Sequence, residues 1–300
     1  MQMFDVTHDA ANFHTEYKRS RLPLIEGRLI HQFTHRWGSY EDGEVTPPTF
    51  DQLNDPDFRI NAKNWVDSSI VSKKIHGKWN RDWLPVWRGI ARATDERTAI
   101  AAIIPLSATN NKIPVIAGVP DATNAALLAS GINSYAFDYV TRQKQSGVNL
   151  NTFILQQLPM PSQTDFQRQV PWGENIKIST WITLHVLELT YTTWDMERFA
   201  RDLGDDGPPF RWDEERRFVM RAELDALYFH LYGIDRDDVD YIMETFPIVK
   251  RKDEAAYGTY RTKDQILAIY DQMSKANATG TAYRTSLGLP AGDGPRHLRR

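Results

Sequence analysis

The chain has 300 residues, 41% hydrophobic and 25% charged, with a formal net charge of −3. That length and apolar share allow one large domain or two medium ones around a real core, while the net charge argues against a simple basic nucleic-acid binder. With no cysteine, a disulfide framework, a thiolate zinc site and a cysteine nucleophile are all excluded.

No run approaches the roughly 18 apolar residues of a membrane span. The opening stretch "MQMFDVTHDAANFHTEYKRS" lacks an apolar signal core, so the expected setting is cytoplasmic, with no membrane partner. Charge is unevenly spread. Residues 41–57 hold six acids and no bases, whereas residues 59–112 hold ten bases against four acids. A solvated surface explains such blocks most simply; a basic face for phosphates is the sharper alternative.

In chain order, "LPLIEG" and "RLIHQFTHRW" read as extended segments about a Glu26-Gly27 turn. "DSSIVSKKIHG" reads as a short helix, with Asp67 as its cap and Gly77 beyond its end. "WLPVWRGIAR", "TAIAAIIPL" and "KIPVIAGV" are β-like runs bounded by polar residues or proline. "DATNAALLASGI" and "NSYAFDYVTRQK" predict two helices parted near Gly131, and "NLNTFILQQLP" a third stopped by Pro159. From about Thr164 the pattern becomes helical. Leu224, Leu227, Tyr228 and Leu231 form one apolar stripe, with Asp213 as N-cap and Gly233 as stop; Ile266, Ile269, Tyr270 and Met273 form another. "RDLGDDGPPFRW" is a loop, and "GLPAGDGPRHLRR" is expected to fray. The fold class is therefore α+β: a mixed α/β domain over residues 1–162, then a mainly helical region over 163–300.

Recognisable catalytic motifs fail on inspection. His31 and His35 share the spacing of a helical zinc motif, but Gln32 stands where the general-base glutamate belongs and the context reads as strand, so no metal site is expected. Asp95 and Glu96 in "RATDERT" are neighbours that a strand would point to opposite sides, and a salt-bridged turn is the default. Trp79, Trp83 and Trp87 alternate with bases, as in a base-stacking surface, yet core is favoured for at least two of them. "Gly207-Pro208-Pro209-Phe210" resembles the catalytic tetrapeptide of adenine methyltransferases, but glycine occupies the place of the residue that would hold the target amine. No Gly-rich phosphate loop and no nucleophile elbow is present.

The segment "FDYVTRQKQSGVNLNTFILQQLPMP" gathers Arg142, Gln143, Lys144, Asn149 and Asn151 at a turn between apolar faces. Arginine and lysine suit guanine edges, and asparagine and glutamine suit adenine; Gly147 would let the backbone turn sharply. An ordinary polar connection between helices is an equal alternative.

Four blocks, "LPLIEGRLIHQFTHRW", "RGIARATDERTAIAAIIP", "LLASGINSYAFDYVTRQKQSGVNLNTFILQQLP" and "FRWDEERRFVMRAELDALYFHLYGI…YIMETFPIVKRKDEAAYGTYRTK", resemble the C-terminal target recognition region of S-adenosylmethionine-dependent DNA adenine methyltransferases. That family includes single-chain restriction–modification enzymes and phage-defence methylases. The resemblance implies that this chain reads sequence in double-stranded DNA. The chemistry, and S-adenosylmethionine itself, would then belong to a methyltransferase domain or subunit outside these residues, and the chain would be a fragment or half of a split system. No cofactor is expected in this chain and no catalytic residue is assigned. The resemblance adds His31, Gln32, His35 and Arg36 to the DNA-contact candidates. Arg92, Arg97 and Lys112 follow as backbone clamps. The alternative is a docking module of the same assembly with little DNA binding of its own.

Overall fold

The computed structural model describes residues 1–172 and 175–299. Seven short strands, β1 (Arg21–Ile25), β2 (Ser39–Glu41), β3 (Glu44–Thr46), β4 (Trp65–Asp67), β5 (Trp83–Trp87), β6 (Ala101–Pro105) and β7 (Ala108–Thr109), all lie in the first 110 residues. Two helices are interspersed there, α1 (Phe50–Asn54) and α2 (Ser68–Ile75). Ten more follow: α3 (Ala122–Asn133), α4 (Tyr135–Lys144), α5 (Thr152–Leu155), α6 (Gln163–Gln167), α7 (Ile178–Thr190), α8 (Glu197–Asp202), α9 (Glu214–Leu231), α10 (Arg236–Glu244), α11 (Pro247–Tyr257) and α12 (Arg261–Thr279). The fold is α+β, with small sheets followed by a mainly helical region.

β1 is the centre of a three-stranded sheet, antiparallel to β4 and parallel to β7. β2 and β3 form a hairpin whose turn carries part of the acidic block, and β5 pairs antiparallel with β6 from Trp83↔Pro105 to Trp87↔Ala101. β5 is buried along its whole length, as its unbroken apolar run requires. Trp79, Trp83 and Trp87 are all buried; Trp83 packs edge-on against Trp79 and Phe199, with Arg81 over its face. α3 lies between β6 and α7, and α9 packs along α12. One hydrophobic cluster runs from Phe4 through Trp83 and Phe137 to Met273. The change in secondary-structure content falls near residue 110, and the core is continuous across residue 162.

Local signals hold where the partner is near in sequence. Asp213 accepts from Arg216 N to cap α9, and Gly233 follows its end with φ +66°. Four expectations are corrected. The block "RLIHQFTHRW" is not a strand: the chain doubles back at Phe33 (φ 59°), and His31 and Thr34 exchange backbone hydrogen bonds across the turn. "KIPVIAGV" forms only one bridge, Val86↔Val115; Pro114 has no amide hydrogen to extend a ladder. The break between α3 and α4 falls at Ser134, three residues beyond Gly131. Its extended backbone ends one helix while its hydroxyl accepts from Phe137 N to start the next. The tail is not frayed through Arg299; Arg300 lies outside the described residues. Arg211 N donates to Pro295 O and His297 N to Pro209 O, and Arg296 lies 3.6 Å over the Phe210 ring while pairing with Asp205. The Pro208-Pro209-Phe210 stretch therefore serves as the seat of the C-terminal strap.

Candidate nucleic-acid interface

The predicted contact residues divide by direction. Arg36 is 1% exposed. Its guanidinium donates to Leu53 O (2.8 Å), Gln52 O (3.2 Å) and Thr192 Oγ1 (2.8 Å), so it closes Leu53 O, adds a second donor to Gln52 O beside Asp55 N, and ties the end of α1 to the start of the α7–α8 connection. Burial lowers its pKa to about 10, leaving it charged. His35 is buried 3.3 Å from Asp195. Burial alone would raise the Asp195 carboxyl, but His35, the Thr193 hydroxyl and Arg36 bring it down to about 2. Gln32 is buried and donates to Asn133 O at 2.8 Å. These three side chains are spent inside the molecule.

Arg97 and Arg142 also turn inward. Arg97 donates to Asp138 Oδ2 at 2.7 Å and to Asn133 O, the last carbonyl of α3, with its plane over the Tyr135 ring. Asp138 is wholly buried and also accepts from Thr98 N and Ala99 N. Burial opposes the charge on Arg97, but Asp138 outweighs it and the pKa rises. Arg142 donates to Asp95 O (2.7 Å) and Glu96 O (2.9 Å) and covers Phe246; burial lowers its pKa. In "RATDERT" itself, the Asp95 carboxylate accepts from Arg92 N, and Glu96 pairs with Lys252 of α11. The turn is fixed by the Asp95 carboxylate and by Arg142 from α4, not by pairing of its own arginines with its own acids.

The other candidates face out together. The segment at Gly89–Ala91 is flanked by two others. Gly89 N donates to Lys112 O on one side; on the other, Leu150 N donates to Gly89 O and Ala91 N to Val148 O. The resulting edge exposes Arg92, Lys112, Gln143, Lys144, Asn149 and Asn151. Among the described residues, Arg92, Lys112 and Lys144 have no carboxylate within 4 Å. Ile90, Val148 and Phe153 are exposed beside them, Phe153 at 71%. Asn151 is partly committed, since its side-chain oxygen accepts from Ile154 N to cap α5. Buried Gln145 fastens the loop by donating to Ala91 O and Gly147 O. Gly147 has no left-handed backbone angle, so the turn does not need a glycine.

His31 belongs to neither group. It stacks on Trp37, ring centroids 4.3 Å apart, at the wall of a cleft of about 440 Å³. Opposite stand Phe218, Arg221 and Asp225 of α9, Lys252 and Tyr257 of α11 and Arg261 of α12. Burial, helped by the cations Arg88, Arg221, Arg97 and Lys252, drives the His31 pKa to about 3, so its ring is neutral at ordinary pH. Burial also raises the Asp225 carboxyl to about 7, against the pull of Arg97 and the Tyr135 N–H. Trp37, Phe218, Arg221 and Tyr257 escaped the sequence reasoning. Their only local sign was an aromatic or basic residue off the apolar stripe, which surface helices carry commonly. Among the described residues no three His, Cys, Asp or Glu side chains gather as metal ligands, and no helix is long and apolar enough to cross a membrane.

No family model matches this chain, and neither a curated protein nor a solved structure matches it.

Proposed function

We propose that this chain is a sequence-reading component for a DNA adenine methyltransferase of a restriction–modification or phage-defence system, in a cytoplasmic setting. It holds double-stranded DNA while a separate methyltransferase domain or subunit supplies S-adenosylmethionine and the methyl transfer. The order of the four sequence blocks supports the assignment to that machinery. The observation that carries DNA contact is the edge built from residues 88–92, 112 and 143–153. Among the described residues Arg92, Lys112 and Lys144 lie there free of carboxylates, on the same edge as the amides of Gln143 and Asn149. Unpaired surface cations suit phosphates, and side-chain amides on the same edge suit base edges.

The test is a fluorescence-anisotropy titration of duplex DNA at two salt concentrations. Binding should weaken with salt, each lost phosphate contact lowering the slope of log K against log salt by about 0.9. Replacing Arg92, Lys112 and Lys144 together by alanine should reduce affinity at least about tenfold and flatten the slope by roughly 2 to 3. Duplex binding that ignores both salt and this triple substitution would sink the reading.

A second reading, docking to a protein partner, draws on the same edge. Ile90, Val148 and Phe153 are exposed there, and the hairpin of β2 and β3 is acidic. It predicts no salt-dependent duplex binding at all.

A further inference from the structure

The cleft between the His31–Trp37 turn and helices α9, α11 and α12 has a charge inventory that closes except at two points. Glu96 is held by Lys252 at 2.5 Å, and Glu215 by Arg261. Glu214 accepts from Trp212 Nε1 at 2.7 Å, Asp253 from Thr262 N at 2.6 Å and Asp225 from Tyr135 N at 2.7 Å. Arg97 is committed to Asp138. What remains is the half-buried guanidinium of Arg221 and the ring nitrogens of His31. Among the described residues neither has a hydrogen bond or ion pair, although both line the cleft.

Two aromatic rings stand at the same walls with faces open to water. Trp37 is 51% exposed and is backed on one side by His31. Tyr257 is 57% exposed and is backed by Arg261, which also lies over Phe218. A ring supported from behind loses little freedom when something flat stacks on its front, and water hydrates that front poorly. Water would satisfy a lone guanidinium equally well, so the rings set the class of ligand: a flat heteroaromatic ring with an acceptor edge or an attached anion.

We propose that this cleft binds a nucleotide, its base stacked on the open face of Trp37 and its phosphate or acceptor edge held by Arg221. His31 is uncharged at neutral pH, so it does not compete with Arg221 for the anion, and from behind the indole it holds the Trp37 ring in place. The cleft volume of about 440 Å³ lies within the range of small-molecule sites. A free mononucleotide and an unpaired nucleotide of a DNA strand share this chemistry. The site is separate from the cationic edge and does not depend on the assignment to a methyltransferase.

The experiment is calorimetric titration of the full chain with deoxyadenosine and deoxyguanosine monophosphates, their nucleosides and inorganic phosphate. Mononucleotides should bind more tightly than either nucleoside or phosphate. Trp37→Ala, at an exposed position where folding is not at stake, should weaken that binding about tenfold or more, the range of one base–aromatic stack. Arg221→Lys should weaken mononucleotides at least about fivefold and nucleosides less. Tyr241→Ala, an exposed ring outside the cleft, should change nothing. No mononucleotide binding at millimolar concentration would overturn the proposal, as would phosphate binding as tightly as the nucleotide or affinity indifferent to Trp37→Ala. A duplex with one unpaired nucleotide separates the sources. Preference for it over the paired duplex, lost in Trp37→Ala, assigns a strand nucleotide; no preference, with mononucleotides still bound, assigns a free one. Alanine at Arg92, Lys112 and Lys144 should leave mononucleotide binding intact whether or not duplex binding fails.

Discussion

Six cations from look-alike polar segments divide three and three. Arg36, Arg97 and Arg142 turn into the molecule; Arg92, Lys112 and Lys144 turn out. The inward residues are all arginines, and both lysines of the set stay outside. The inward guanidiniums meet backbone carbonyls at helix ends and turns: Gln52 and Leu53 at the end of α1, Asn133 at the end of α3, and Asp95 and Glu96 in an irregular turn. A planar fork of five donors can close several such carbonyls at once, which an ammonium on a flexible stem does less well. Helix C-termini also carry partial negative charge that favours a cation. Basic residues near a predicted turn are therefore ambiguous between ligand contact and internal capping, and the arginines are the more ambiguous ones.

The largest effect should come from attacking the inward set. Asp138→Ala strips the carboxylate from Arg97, Thr98 N and Ala99 N together. A buried cation left without its partner costs about 3 to 5 kcal/mol, to be read from urea unfolding midpoints. A loss under 1 kcal/mol would mean that water replaces the carboxylate and that Arg97 is less enclosed than described. Asn133→Ala should come next. Its amide accepts from Ala101 N at 2.8 Å and donates to Ala101 O at 3.0 Å, completing β6 as a neighbouring strand would. Losing both bonds should cost about 2 to 3 kcal/mol. Asn133→Asp keeps the acceptor but sets a buried carboxylate against Ala101 O, so it should cost at least as much as alanine.

Why some of this was legible and some was not follows from where the partners lie. α9 was readable because stripe, cap and stop fall within one segment: Asp213 caps Arg216 N, three residues on, and Gly233 closes the same helix; α12 was readable from its stripe. The Arg97–Asp138 pair was not, because its partners are 41 residues apart and Asp138 reads as an ordinary polar position on an amphipathic helix. The turn at His31–Thr34 hides in β-like composition. Its reversal needs a non-glycine residue at φ 59°, Phe33, which is buried and bonds through its amide to Ala101 O. The tail looked frayed from its glycines and prolines; its seat, which includes Asp205, Pro209, Phe210 and Arg216, lies some 70 to 90 residues earlier. The outward edge was legible in part: Lys144 and Asn149 sit on one predicted turn. Nothing local brings Arg92 and Lys112 beside them; the backbone bonds at Gly89 and Ala91 do.

Asp225 allows a smaller effect that also has a sign in pH. Its folded-state pKa is pushed up to about 7 by burial, against roughly 3.9 in an unfolded chain. Between those values the folded state holds the proton more tightly than the unfolded one. Its contribution is therefore fully present below about pH 4, declines as pH rises, and becomes a constant penalty above pH 7. Asparagine keeps an acceptor for Tyr135 N and cannot ionise. Asp225→Asn should therefore gain stability relative to the parent as pH rises from 4, with the gain levelling off above pH 7. A difference that stays flat with pH would mean that Asp225 is ionised without cost, with Arg97 and Arg221 already compensating it.

The smallest effect is expected at the outward edge, and its smallness is the point. Arg92, Lys112 and Lys144 are exposed and have no ion-pair partner among the described residues, so alanine at all three should leave stability within about 0.5 kcal/mol of the parent. The comparison becomes decisive when stability and binding are measured on the same protein. Inward substitutions should lower the unfolding midpoint, and any change they cause in duplex binding should track the unfolded fraction. The outward triple should lower duplex affinity at an unchanged midpoint. If it instead destabilises the fold by more than 1 kcal/mol, these cations have internal roles as Arg36 and Arg97 do. The edge would then be scaffold, and the search for the DNA-contacting surface would have to move elsewhere on the molecule.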